Sequence, residues 1–371
     1  MVKRVFLVLG VLLIAAGFAV AEEAKKEPVV WGCINSLTGK MATLGVDDQT
    51  GEMIAVDEVN AAGGILGRPL KVIFEDNESR PEVALELAHK LIDVHKVPLI
   101  IASDGSAIVL AACGYANEKH VIGISGGATS PKLREIGPYY FAMIALDDIM
   151  GKEVATFTME DSSAKTFGII GADHPFCIGM EIHEEKYIKG HGGQVVSKVR
   201  YQVGKADYRA ELKRLFAPKP EVILMSAFEE GALIMKQAYE LGYKPAKGWY
   251  GGYPDMWATY ATHPETIEGL KGLLAGPIPP QDYIEAYKAK VGHGPTTEFG
   301  GYDYDAIWIA AIATNFAQTT DPEVVKDIIP LVAKRYKGVT GDKTMDADGM
   351  QVSEEYRPVI YRNGEPIPYN Q

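Results

Sequence analysis

Asp57-Glu58-Val59-Asn60-Ala61-Ala62-Gly63-Gly64-Ile65-Leu66-Gly67-Arg68-Pro69-Leu70 is the stretch that decides how this chain folds. It reads as the last turn of a helix, a glycine stop, a tight reversal and the start of a strand. Gly63 and Gly64 can take the positive φ that ends a helix without a Cβ clash. Gly67 and Pro69 turn the chain into the apolar run Leu70-Lys71-Val72-Ile73-Phe74. Upstream, the small and polar segment 37–45 separates that helix from a first apolar run at 29–34. Strand, loop, helix, double glycine and strand make a βαβ unit.

The same alternation continues along the chain. Strand-like runs recur at 98–102, 121–124, 166–170, 194–199, 221–225 and 271–275. Helical periods lie between them. Ala84, Leu87, Ala88, Leu91, Ile92 and His95 form one apolar stripe, and 207–216, 230–241 and 303–318 behave alike. Strands separated by helices predict parallel sheets covered on both faces, too many strands for one sheet and hence two αβα lobes. The segments 98–106 and 221–229 share one grammar, a buried strand running into a helix start. Ligands of open α/β sheets collect at the carboxyl ends of strands. Two such edges facing each other make a cleft, and its closure is a hinge motion. The first crossing between lobes is expected at 145–147, and the return at the proline-rich 276–280.

Composition narrows the function classes. Lys3 and Arg4, the apolar run 5–18 and Ala19-Val20-Ala21 read as an export signal over 1–21 with an A-x-A cleavage site. A membrane anchor is the alternative, but a span needs about 20 apolar residues. No cysteine follows the site to carry a lipid. Loss of Lys3 and Arg4 takes the formal charge from −12 to −14. So acidic a chain is a poor partner for nucleic acid or anionic membrane. Cys33, Cys113 and Cys177 lie far apart without a C-x-x-C, and each sits among small or apolar residues that suit a buried thiol; one disulfide is the alternative. The histidines show no metal-ligand spacing, so no cofactor or metal is expected.

Two loops can hold a ligand. Asp104-Gly105-Ser106 opens a helix, whose start offers unpaired N–H groups and a partial positive charge to a carboxylate. Simple capping by Asp104 or Ser106 is the plainer reading. Ile124-Ser125-Gly126-Gly127-Ala128-Thr129-Ser130-Pro131 follows a strand, and Thr129 offers a hydroxyl and an N–H.

The opening βαβ unit, the Ser106-to-Thr129 spacing with its Ala-Thr-x-Pro wording, Asp76-Asn77-Glu78-Ser79-Arg80-Pro81, Gly137-Pro138-Tyr139-Tyr140-Phe141 and Lys236-Gln237-Ala238-Tyr239-Glu240-Leu241-Gly242 occur in one order. Together they resemble the leucine/isoleucine/valine-binding family of periplasmic solute receptors. The resemblance covers most of the chain beyond the signal. It implies a type I periplasmic binding protein: two αβα lobes, a cleft and three hinge crossings, the third near 339–341. Lobe one would be 22–146 with 277–340, and lobe two 147–276 with 341–371. It further implies that Ser106, Ala128 and Thr129 grip a ligand carboxylate while the loop around Leu44 covers the apolar part. Leu44 stands where an aromatic is common, and Phe176-Cys177 where Tyr-Gly is common. In the second lobe, Phe228, Trp249 and Tyr253 would contact the ligand, though core packing claims most aromatics. Asp255 would replace the carboxylate that pairs with an ammonium.

The function so implied is a periplasmic receptor that feeds an ATP-driven importer through its membrane permease, binding a small apolar amino acid or related carboxylate, with no bond broken. Two alternatives are a secreted hydrolase and a signalling receptor for an amide or urea-like solute. Gly123-x-Ser125-x-Gly127 formally matches a nucleophile elbow, but Ser130-Pro131 interrupts the helix such an elbow needs. No G-x-G-x-x-G follows the first strand.

Overall fold

A computed structural model describes residues 26–369, so the expected signal at 1–21 lies outside the described residues. The chain opens with β1 (Val29–Asn35), α1 (Ala42–Ala61), β2 (Leu70–Asp76), α2 (Pro81–His89), β3 (Leu99–Ala102), α3 (Ser106–Glu118), β4 (Ile122–Ser125) and β5 (Tyr140–Ala142). These five strands form one parallel sheet in the order β2-β1-β3-β4-β5. The double-glycine reversal behaves as its composition requires. Gly63 and Gly64 take φ of 107° and 74°, and Asn60 ties the end of α1 to β2 by donating to Leu70 O (2.9 Å) and accepting from Leu70 N (2.7 Å).

A second series follows: α4 (Asp147–Ser162), β6 (Thr166–Ala172), α5 (Pro175–Gly190), β7 (Gln194–Tyr201), α6 (Arg209–Phe216), β8 (Val222–Ser226), α7 (Glu230–Glu240), β9 (Trp249–Gly252), α8 (Asp255–Ala258) and β10 (Lys271–Ala275). Its parallel core runs β10-β9-β8-β6-β7. Counted from its own first strand, that is again the order 2-1-3-4-5. The two sheets are one design used twice, the doubly wound arrangement whose crevice opens where strand order reverses.

The chain then returns through α9 (Gln281–Val291), α10 (Phe299–Ala317) and α11 (Pro322–Ala333). Helix α10 lies against α1 so closely that a Cβ on Gly51 would come within 1.9 Å of Gly300 O, and one on Gly300 within 2.3 Å of Asp47 O. Asp47 accepts hydrogen bonds from the backbone of Thr296 (3.1 Å) and Thr297 (2.6 Å). Residues near the two ends of the chain therefore share one helix pair. The short β11 (Lys337–Gly338) and β12 (Gly341–Asp342) pair antiparallel, and Asp305 of α10 accepts from Val339 N and Thr340 N, both at 3.0 Å.

The last crossing falls later than 339–341. Met350 bridges Ala142 at the edge of the first sheet, and Gln351 N donates to Ala142 O (3.2 Å). Only β13 (Tyr356–Arg362) and β14 (Glu365–Pro368) join the second sheet, antiparallel, with Tyr356 opposite Ala275. The hydrogen bonds of Asp305 hold 339–340 on the first lobe, which delays the passage to 352–355. The apolar stripe at 84–95 also differs from a plain helix, because α2 passes into a widened π turn over Lys90–Val94 that keeps Leu91 and Ile92 buried. All three cysteines are buried and free. No described helix is long and apolar enough to cross a membrane, and no group among the described residues is arranged to hold a metal ion.

Candidate functional site

A cavity lies where the carboxyl ends of the two sheets face each other. The first lobe lines it with Leu44 and Asp48 of α1, Ser103 to Ser106 after β3, and Gly127 and Thr129 after β4. The second lobe contributes Phe176 after β6, Phe228 after β8, and Tyr253 and Met256 after β9; Phe299, at the start of α10, lines it from the first lobe. Each loop follows the strand that the doubly wound order brings to the crevice. The free volume is about 20 Å³, roughly the room for one or two water molecules. The lobes touch around it. A Cβ on Gly179 of α5 would lie 2.7 Å from Pro131, and one on Gly204 would lie 2.1 Å from Lys40 Nζ.

On the first lobe, Ser106 Oγ accepts from Ser130 N (3.1 Å) and Thr129 N (3.3 Å). A serine oxygen has two lone pairs and one proton. Both lone pairs are taken, so the hydroxyl can act toward the cavity only as a donor. The Thr129 N–H, expected to reach the ligand, is bound to Ser106 instead, which leaves the Thr129 hydroxyl for that task. Ser106 opens α3, whose first N–H groups have no carbonyl of their own helix to bond. Asp104 does not cap that helix, because its Oδ2 accepts the Ser36 N–H.

Four buried carboxyls gather beside these donors. The Asp48 carboxyl lies against those of Asp104 and Asp303, with Glu52 behind. Asn35 Nδ2 donates to Glu52 (3.0 Å) and Ser103 Oγ to Asp303 (2.5 Å). Burial is the main cause that raises every one of them above the ordinary carboxylate range, Asp303 to about 7.

The second-lobe wall is aromatic. Phe228 meets Phe176 edge-on at 5.7 Å and His174 at 4.9 Å, and Tyr253 sits 6.1 Å from Phe176 and 5.7 Å from Phe299. His174 Nδ1 accepts from Phe176 N (3.3 Å) at the start of α5. Burial pushes its imidazole down to about 4, so it is neutral at neutral pH. Tyr253 holds a left-handed φ of 52° and turns the chain from β9 into α8.

Of the residues expected from sequence, Leu44, Ser106, Thr129, Phe176, Phe228 and Tyr253 meet at the cavity. Ala128 does not line it, being packed into the first-lobe core between two residues that do. Trp249 is the first residue of β9, the end remote from the crevice, and its ring packs 5.8 Å from Phe216. Asp255 also stands off the cavity. It begins α8 and faces the Glu298 carboxyl, and burial raises it to about 6. Asp48, Ser103, Met256 and Phe299 were not anticipated. Asp48 looks like a solvent-facing residue in the string, and only α10 packed on α1 makes it a buried one. Ser125 carries no sign of a nucleophile, since its hydroxyl is hydrogen-bonded to Tyr140 Oη at 2.6 Å.

A family model described as periplasmic binding protein matches residues 28–365. Among curated proteins, the chain is 27% identical to a Leu/Ile/Val-binding protein homolog of Brucella suis over 338 residues, covering 85% of this chain and 82% of the relative. It is 25% identical to an amino acid binding protein of Pseudomonas aeruginosa, with 92% of each covered. Among solved structures, the branched-chain amino acid transporter substrate binding protein LivJ from Streptococcus pneumoniae, in complex with isoleucine, is similar with a TM-score of 0.80 at 25% identity, covering 92% of this chain and 98% of that one. A solute binding protein of an ABC transporter from R. palustris, in complex with benzoate, shares the fold with a TM-score of 0.80 at 18% identity, covering 92% and 95%.

Proposed function

The chain belongs to the periplasmic binding protein family, and from that premise we propose that it is the receptor of an ATP-driven importer, closing on a small apolar amino acid or a related carboxylate. One observation carries the reading. The cavity joins two sheets of the same strand order at their carboxyl ends, with donors on one wall and aromatic rings on the other. Ser106 and Thr129 hydroxyls with the start of α3 would hold ligand oxygens, and Leu44, Phe176, Phe228 and Tyr253 would enclose the rest. Lobe one is then 22–146 with 277 to about 351, lobe two 147–276 with the chain from about 356. The closed form would present both lobes to a membrane permease. Residues 1–21 would direct export to the periplasm and be removed after Ala21. The ligands named for the Brucella and Streptococcus relatives support the amino-acid side of this reading.

The experiment is a thermal-shift screen of residues 22–371 against amino acids, carboxylates and amides. A ligand at a hundred times its Kd stabilises the fold by about 2.7 kcal/mol. No shift with any of these classes would sink the receptor reading, and steady turnover of an ester or amide would favour a hydrolase. The free volume of about 20 Å³ favours one second reading of the ligand, a solute as small as an amide or urea.

A further inference from the structure

Two carboxylates stand in the cavity wall where a receptor for a plain carboxylic acid has no use for them. Asp48 and Asp104 are only 1% and 2% exposed. Both line the cavity, and Oδ1 of each lacks any donor. Their positions are built, since Asp104 is anchored by the Ser36 N–H and Asp48 is wedged between Asp104 and Asp303. Behind them, Glu52 Oε1 and Asp303 Oδ2 are also without donors. Among the described residues no lysine, arginine or histidine pairs with any of the four. Buried acceptors without donors are costly, and a ligand that supplies donors recovers that cost.

We infer that Asp48 and Asp104 form the seat for the ligand's ammonium group, on the first lobe, and that Asp255 on the second lobe does not. This inference rests on the receptor reading above. In an α-amino acid the ammonium and the carboxylate share one carbon, so acceptors for the first must adjoin donors for the second. Only Gly105 separates Asp104 from the Ser106 hydroxyl and the start of α3. Gly105 itself has φ of 82° and leaves only 3.1 Å between a would-be Cβ and Met41 Sδ, so this close junction admits little else. Although four carboxyls gather there, no group of three or more His, Cys, Asp or Glu side chains among the described residues is placed to hold a metal ion. An ammonium supplies the donors that these two carboxyls lack and a des-amino acid supplies none, so the same pair discriminates against des-amino acids as well as seating amines. Asp255 is excluded by placement alone: its oxygens also lack donors, but it faces the Glu298 carboxyl and does not line the cavity.

Titration calorimetry on the mature chain tests this directly. The probes are L-alanine, L-valine, L-leucine and L-phenylalanine, each beside its des-amino acid (propionate, 3-methylbutanoate, 4-methylpentanoate and 3-phenylpropionate), with acetamide and urea as uncharged donors. The best amino acid should bind about tenfold to a hundredfold more tightly than its des-amino partner. Asp48→Asn and Asp104→Asn should each reduce that ratio about tenfold or more, mainly by weakening the amino acid. Asp255→Asn should leave the ratio unchanged. The wild-type ratio is informative even if a variant does not fold. A des-amino acid, acetamide or urea that binds wild type as tightly as any amino acid overturns the ammonium seat while leaving a receptor in place. Loss of the ratio in Asp255→Asn alone overturns it as well. Folded protein that binds none of the probes overturns both this inference and the receptor reading.

Discussion

The two walls of the cavity are built by opposite means. The first-lobe wall is polar, acidic and assembled from distant parts of the chain: α1, the loops after β3 and β4, and α10, whose Asp303 lies 200 residues beyond Ser103. The second-lobe wall is aromatic, and every residue it contributes lies between β6 and α8. Hydrogen-bonded polar groups must be fixed before a ligand arrives, because a misplaced donor loses most of its worth. Aromatic faces tolerate small displacements. The difference teaches which wall should decide what chemical group is bound and which should decide how large it is.

The largest expected effect strikes the assembly of the first wall. Gly51→Ala forces a Cβ against Gly300 O at the α1–α10 crossing and should cost about 3 kcal/mol or more of stability by overpacking. Chemical denaturation reads this, and an unchanged midpoint would show that the crossing yields without cost. Next come the donors. Ser106→Ala and Thr129→Ala should each weaken binding by about 1–3 kcal/mol, the range for hydrogen bonds to charged groups, with melting temperature nearly kept. Full affinity in both would remove the oxygen-holding role from the first wall.

Phe228→Ala addresses the second wall. It should move preference toward bulkier side chains by roughly tenfold while the demand for polar head groups persists, as a competition series would reveal. A loss of head-group selectivity in this variant would erase the division between the walls. The acids give a pH prediction with a definite sign. Burial raises Asp303 to about 7, Glu184, a buried residue of α5, to about 8 and Asp255 to about 6 in the folded chain. Between the ordinary carboxylate range and those values the folded state binds more protons than the unfolded one. The stability they contribute is complete near pH 4 and is lost as pH rises toward 8. The ligand-free protein should therefore melt higher at pH 5 than at pH 8, and a reversed trend would mean that the buried acids are ionised or compensated. The smallest expected effect belongs to Asp255→Asn, which should change affinity by less than about 0.5 kcal/mol since the residue lies off the cavity.

Much of this arrangement was legible in the string, and the failures have physical causes. The βαβ grammar of 57–70 and the apolar runs located eight of the parallel strands, because both sheets are covered and their strands are continuously apolar. The antiparallel β13 and β14 were not read, although Asn363-Gly364 between them, with φ of 52° and 88°, is a hairpin signal. Pro358 and the charged flanks made 356–368 look like a tail. Trp249 was misplaced because a run of residues does not say which end of a strand carries the crevice. The acids were the harder loss. Helix α1 has no single apolar stripe, being buried by α10 on one side and the cavity on another, so Asp48 and Glu52 carried no periodic mark. Burial that depends on a helix 250 residues away leaves no trace in the local pattern.

That glycine crossing also sets a timetable. Helix α1 leaves the ribosome early, yet its mate α10 does not exist until residue 300 has been made. The second lobe's parallel core, contiguous from 166 to 275, can assemble in the meantime. The first lobe is a long-range closure, slow by the measure of sequence separation, and its acidic wall stays open to water until the end. A chain interrupted between β10 and α10 would thus carry the assembled parallel core of the second lobe beside an unfinished first lobe, and the unfinished one has the polar groups that ligand recognition needs.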